Sequence, residues 1–314
     1  MIRSSAISIC FVVIILQSSP IGAAEPPLLK APFTKDEAKR SQEAWARFIG
    51  DNVEKEIDIG GGIKMQFELI PPGIFQMGSK DEELQLSGPE RSFDNETPRH
   101  EVTITKPFYL GKYTLTQREY MQLTGKTNPS WYSSTGGGKQ TVADLDTSRY
   151  PVEHVSWEDA VDCASKLEGK AGSRLLRVCL PSEAMWEYAC RAGTETPWNV
   201  GNVLKSDDAN FDQQGGGKLN RTRTVGLGVA NAFGLYDMHG NVLQWCSDWY
   251  GKYGNYAQSD PKGPETGSSR VNRGGRWSAS AGGCRSAFRG GDPPWCCNGG
   301  LGIRLVLVPA GARK

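Results

Sequence analysis

Cysteine and histidine are the side chains here best suited to nucleophilic, redox or metal chemistry, and the chain of 314 residues carries eight of the first and three of the second. Cys163, Cys179, Cys190, Cys246, Cys284, Cys296 and Cys297 lie in the body of the chain, with Cys10 near its start. No two stand in the C-x-x-C spacing of a zinc ribbon, and His100, His154 and His239 are isolated, so no zinc site is expected and each imidazole is assigned a structural place. No Ser, His and Asp combination comes with a nucleophile context such as G-x-S-x-G, which argues against a hydrolase. Gly136-Gly137-Gly138-Lys139 is not a phosphate loop, because Ser133 stands where its first glycine should and Gln140 where its hydroxyl should. Gly226-Leu227-Gly228 lacks the third glycine and the strand-to-helix setting of a dinucleotide loop.

Charge excludes further classes. Lys and Arg number 36 against 35 Asp and Glu, with no basic cluster to hold nucleic acid or an anionic membrane. Residues 1–24 stand apart: Arg3, an apolar run from Ile7 to Leu16 and the small residues Ile21-Gly22-Ala23-Ala24 read as a secretory signal peptide. The run is too short to span a bilayer core, which takes about 20 apolar residues. The expectation is an exported protein, secreted or periplasmic, monomeric and free of the membrane after cleavage. Cleavage leaves seven cysteines, so in an oxidising compartment at least one thiol stays free or pairs with another chain.

The elements that must position these residues are short. Residues 25–62 read as a Pro-rich start, a helix opening at Thr34 with Asp36 and Glu37 in its first turn, and a linker; Gly50 stops the helix. Its stripe of Ala38, Trp45, Ala46 and Phe48 is expected to dock on the main domain, assigned to 63–308, with a tail at 309–314. Met65–Ile70, a Pro71-Pro72-Gly73 turn and Ile74–Ser79 read as a hairpin. Residues 80–98 read as a surface loop before strands at His100–Ile104 and Phe108–Leu110. Thr116 with Glu119 opens a helix ended by Gly125; Ser156 opens a short one reaching Leu167, and Ser182, after Pro181, another. The fold class is therefore α+β, with short strands and helices and much irregular structure.

Five blocks resemble one known family, the formylglycine-generating enzyme or sulfatase-modifying factor family. They are Ile70 through Ser79; Pro151-Val152 through Ala160; Leu180-Pro181-Ser182-Glu183 through Tyr188; Asn231 through Trp245, reading NAFGLYDMHGNVLQW; and Arg270 through Trp277 followed by Cys284 through Arg289. Gly302-Ile303-Arg304 stands for the usual Gly-Phe-Arg, and the resemblance covers about 63–306. It implies a compact fold distantly like the C-type lectins, and an oxidase that uses copper and oxygen to turn a cysteine of an unfolded sulfatase into formylglycine. Two cysteines five residues apart hold the copper in that family, since soft thiolates select Cu(I).

Laid without a gap from Gly274-Gly275, this chain has Arg276 at a family serine, Ala279 at the first of those cysteines and Cys284 at the second. Laid with a gap, Cys284 falls near a structural cysteine instead. By the same resemblance Cys163 and Cys190 occupy places of bridged cysteines, which makes Cys190–Cys284 one candidate disulfide and leaves Cys163 unpaired or joined to Cys296 or Cys297. Carried-over calcium ligands are Asn210 and Phe211 for one site and Asp237, Gly240, Val242 and Gln244 for another, with Gln244 replacing a charged Glu. Copper is expected only if the oxidase is active. The alternative is a diverged member that binds an extended peptide or a glycan in a groove offering Trp277, Trp295 and Arg289, with Trp198 and Trp249 as further aromatics.

Overall fold

The computed structural model describes residues 24–87, 94–172, 175–212 and 219–310. The stretch read as a signal peptide lies outside the described residues but for Ala24, as do the 311–314 part of the tail and Gly215-Gly216-Gly217. No described helix is long and apolar enough to cross a membrane.

Side-chain caps set the helix starts. In α1 (Lys35–Ile49) the Thr34 hydroxyl accepts from the Glu37 N–H while the Glu37 carboxylate accepts from the Thr34 N–H, and Gly50 closes the helix at φ 67°. The same reciprocal box opens α3 (Gln117–Thr124) through Thr116 and Glu119, and α4 (Trp157–Ala171) through Ser156 and Asp159. The second of these is 15 residues long, past the expected end at Leu167, because nothing breaks it before Gly172. Ser182 caps α5 (Glu183–Arg191). A single turn, α2 (Asp81–Leu84), precedes the strand that begins at His100.

The strands form three sheets. β2 (Glu54–Gly60), β3 (Ile63–Ile70), β6 (Phe108–Gly111), β13 (Val306–Pro309) and β7 (Leu176–Cys179) make the largest, in the order β2-β3-β6-β13-β7. β1 (Leu29–Lys30), β4 (Gly73–Met77), β5 (His100–Ile104) and β9 (Gln258–Ser259) make the second, and β11 (Arg289–Asp292), β10 (Arg270–Arg273), β8 (Leu243–Trp249) and β12 (Leu301–Gly302) the third, each in that order.

The hairpin foreseen across Pro71-Pro72 does not form. β3 pairs with β2 and β6, whereas β4 pairs with β1 and β5 in another sheet. Two successive prolines offer no N–H to a ladder, so the chain leaves one sheet there and enters the next. The hairpin that does form is β2–β3, turned by Gly60, Gly61 and Gly62, all at positive φ. Residues 25–62 are thus woven into the domain: β1 and β2 are sheet strands, Trp45 is 1% exposed, and the Gln42 amide donates to Leu69 O and Phe233 O at 2.8 and 3.1 Å.

Alternation across the five-stranded sheet divides the core. Phe67, Leu69, Tyr109 and Leu307 face a cluster with Trp45, Leu167 and Trp245, while Ile70, Phe108, Leu110 and Val306 face another with Phe75, Trp186 and Phe233. Residues 80–98 depart from a plain surface loop: Glu83 and Glu96 are buried, because the Arg285 guanidinium takes Glu96 in two hydrogen bonds of 2.8 and 3.0 Å.

Candidate functional site

Cys284 ends a 3-10 turn (Ala281–Cys284) reached through Gly274 and Gly275, both at positive φ. A Cβ on Gly275 would lie 2.4 Å from the Cys284 sulfur, so only glycine lets the thiol pack there. The thiol is fully buried among Trp198, Leu204, Ala209 and Phe211, with Ala279 against the same cluster. That enclosure pushes its pKa up to about 12. A copper pair needs two thiolates. One buried, protonated thiol with an alanine at the other position does not fit the metal.

Cys190 and Cys284 are not bridged; all seven described cysteines are free thiols. The Cys190 sulfur lies 3.7 Å from Ser286 Oγ and 3.8 Å from His239 Nε2. That imidazole is held neutral by its neighbours: Nδ1 donates to Cys284 O at 2.8 Å and Nε2 accepts from the Asn199 N–H at 3.1 Å. Burial depresses its pKa to about 4. His239 therefore ties the Cys284 turn to the 199 loop, the structural place foreseen for it, and its lone pair is not available to activate a thiol. Burial raises Cys190 and Cys163 to about 12 and Cys179 to about 11, and also holds Cys246 well above the usual thiol range. Cys163 and Cys296 pack in the cluster of Trp45 and Trp245, away from the Cys284 cluster, and Cys297 is exposed.

Beneath this turn lies a block of buried ion pairs that composition did not reveal. On α5, Glu187 accepts from Arg191 Nε at 2.9 Å and pairs with Arg273, while Glu183 takes Arg289 in two bonds of 2.7 and 2.6 Å. Arg289 stacks between Tyr250 and Tyr253. These pairs fix α5 against β10 and β11. The i, i+4 spacing of Glu183 and Glu187 was the available signal for them.

Several of the carried-over calcium donors are already engaged within the protein. Gln244 Oε1 accepts from Trp186 Nε1 at 2.8 Å and from Arg304 Nε at 2.7 Å, and its amide donates to Asp237 O at 2.9 Å. Arg304 also donates to the carbonyls of Gly111 at 2.6 Å and Tyr236 at 2.6 Å. Asn210 O accepts from the Asn241 N–H at 2.7 Å and lies where a Cβ on Gly240 would fall; Phe211 is in the Cys284 cluster. Val242 is fully buried. Calcium asks for six to eight oxygens. Of these side chains only the buried Asp237 carboxylate brings charge, so the second set does not fit the ion without breaking the Gln244 bonds.

The expected groove aromatics divide. Trp198 is core, and Trp249 is stacked on Arg270 at 3.5 Å. Trp277 is half-buried, donates from Nε1 to Gly299 O at 2.9 Å and meets Tyr132 edge-on. Trp295 is 73% exposed. Trp131, which the sequence did not single out, is 47% exposed and lies over Gly137 and Gly138 and beside Gly299. The buried Glu153 carboxylate fixes it by accepting from the N–H groups of Trp131 and Tyr132 at 3.1 and 2.8 Å. Gly299 thus brings Trp131 and Trp277 together on one face, with Arg276 against the adjacent Gly300.

Comparison with known proteins agrees with this architecture. Residues 64–308 match the family model described as a sulfatase-modifying factor enzyme 1-like domain. The formylglycine-generating enzyme of Streptomyces coelicolor is 36% identical over 293 residues, covering 76% of this chain and 87% of its own. The chaperone protein LppX of Paenibacillus barcinonensis is 28% identical over 231 residues, covering 57% and 72%. Among solved structures, Treponema denticola variable protein 1 superposes with a TM-score of 0.68 at 24% identity, covering 82% of this chain and 99% of that one. The expected α+β fold holds.

Proposed function

This chain belongs to the sulfatase-modifying factor family, and we propose that within it the protein is an exported polypeptide-binding member rather than a copper oxidase. The observation that carries this reading is the closure of Cys284, fully buried in a cluster against which Ala279, not a second cysteine, packs. A thiol that has lost its partner and its access to solvent cannot hold a metal for an incoming cysteine. The family's dealings with sulfatase chains, and the chaperone name of one relative, support unfolded polypeptide as the ligand. The face of Trp131, Trp277 and Arg276 supplies what an extended peptide needs: aromatic area and a cation. Residues 1–24 would deliver the protein to the compartment where such chains fold.

The test uses a fluorescent sulfatase peptide bearing Cys-x-Pro-x-Arg. Anisotropy should report binding that Trp131→Ala and Trp277→Ala each weaken by about tenfold, roughly 1.4 kcal/mol, while Cys284→Ala leaves it unchanged. Mass spectra of the peptide after incubation with Cu(I) and oxygen should show an intact thiol. Conversion of that thiol to an aldehyde would return the protein to the oxidases.

A further inference from the structure

A cavity of about 400 Å³ opens beside the start of α5, between that helix and the 249–264 segment. Its floor is Asp248, 4% exposed. One carboxylate oxygen, Oδ2, accepts from the Glu183 N–H at 3.0 Å and the Ser247 hydroxyl at 2.9 Å. The other, Oδ1, has no hydrogen-bond partner among the described residues. A Cβ on Gly263 would stand 3.5 Å from Oδ1, so the glycine keeps that approach open. Oδ1 is thus an acceptor open to the cavity, within reach of a donor bound there.

The remaining charges divide between wall and rim. Glu183 and Arg289 neutralise each other in the wall, and the Tyr253 hydroxyl donates to Glu183 Oε1 at 3.1 Å. At the rim, Lys252 and Lys262 are exposed and make no ion pair among the described residues, and the Tyr256 ring is 63% exposed.

From this juxtaposition we infer that the cavity binds a short carbohydrate carrying an anionic group, with a pyranose ring on Tyr256, a hydroxyl donating to Asp248 Oδ1 and the anion at Lys252 and Lys262. Ligand pockets run from about 300 Å³ upward, so this one suits one or two rings. Asp248 selects for hydroxyl donors, which a sugar offers in number; an acidic peptide would set further carboxylates against it. Lys252 and Lys262 select against a neutral sugar. The site is separate from the Trp131–Trp277 face, shares Trp249 and Arg289 with the sequence-derived groove, and does not depend on the peptide reading.

Titration of the full chain with glucose 6-sulfate, glucuronic acid and glucose, followed by ligand-observed NMR, tests it. At least one anionic sugar should bind about fivefold or more tighter than glucose, close to 1 kcal/mol, and which of the two does so identifies the anion as sulfate or carboxylate. The double variant Lys252→Gln/Lys262→Gln should erase that preference, and Tyr256→Ala should weaken binding of the anionic sugar by a similar factor; both lie on exposed side chains, and thermal melts will show the fold kept. Absence of binding by both anionic sugars, binding untouched by these variants, or tighter binding of a triglutamate peptide that the same variants abolish would overturn the assignment.

Discussion

Glu153 shows how one side chain couples a site to the core. It is fully buried, its two carboxylate oxygens hold the backbone that carries Trp131, and desolvation raises its pKa from 4.5 to about 7. A carboxyl raised in the folded state binds a proton that the unfolded chain has released, so its contribution is largest below the ordinary carboxylate value and declines as pH rises toward 7. A displacement of that size corresponds to about 3 kcal/mol across the window. Glu153→Gln should therefore flatten the stability profile between about pH 4.5 and 7 relative to the parent, measured by urea unfolding at stepped pH. A constant offset with unchanged slope would mean that Glu153 is ionised in the folded protein. Asp248 and Glu68, both raised to about 7 by burial, act in the same direction and contribute to the slope that remains.

At the scale of elements, caps were legible and pairings were not. Thr34, Thr116, Ser156 and Ser182 announced their helices because a cap is a local event settled within four residues. The Pro71-Pro72 step misled because strand pairing is decided by distant partners, here β6 for β3 and β5 for β4. The 80–98 segment misled for the same reason: nothing local says that Glu96 will meet Arg285, 189 positions later. That contact ties Glu96 to the residue that follows Cys284. Glu96→Gln leaves the Arg285 guanidinium without its main counter-charge in a dry setting, a change that typically costs about 3–5 kcal/mol. Urea unfolding of the variant should lose that amount; a loss under about 1 kcal/mol, the scale of an exposed pair, would mean that the segment is not docked in solution.

Over the whole molecule, the family was readable from five separated blocks, but the state of its sites was not. The copper position could be doubted from Ala279 alone, yet that Cys284 would be sealed among Trp198, Leu204, Ala209 and Phe211 depends on residues that precede it by more than 70 positions. The calcium positions differ in the same way. A single Glu-to-Gln change was visible, but not that Gln244 would turn to Trp186 and Arg304, nor that the Arg304 guanidinium would take the carbonyls of Gly111 and Tyr236. Internal cation and amide donors thereby take the backbone oxygens of Tyr236 and Asp237. The consequence is measurable. A calcium ion bound only by the folded state, at 100 times its dissociation constant, adds about 2.7 kcal/mol, which for a chain of this size raises Tm by several degrees. Melts in millimolar calcium and in EDTA should instead agree within about 1 °C. A rise of several degrees in calcium, abolished by Asp237→Ala, would place the ion in the Asp237 set and require Gln244 to release its present partners.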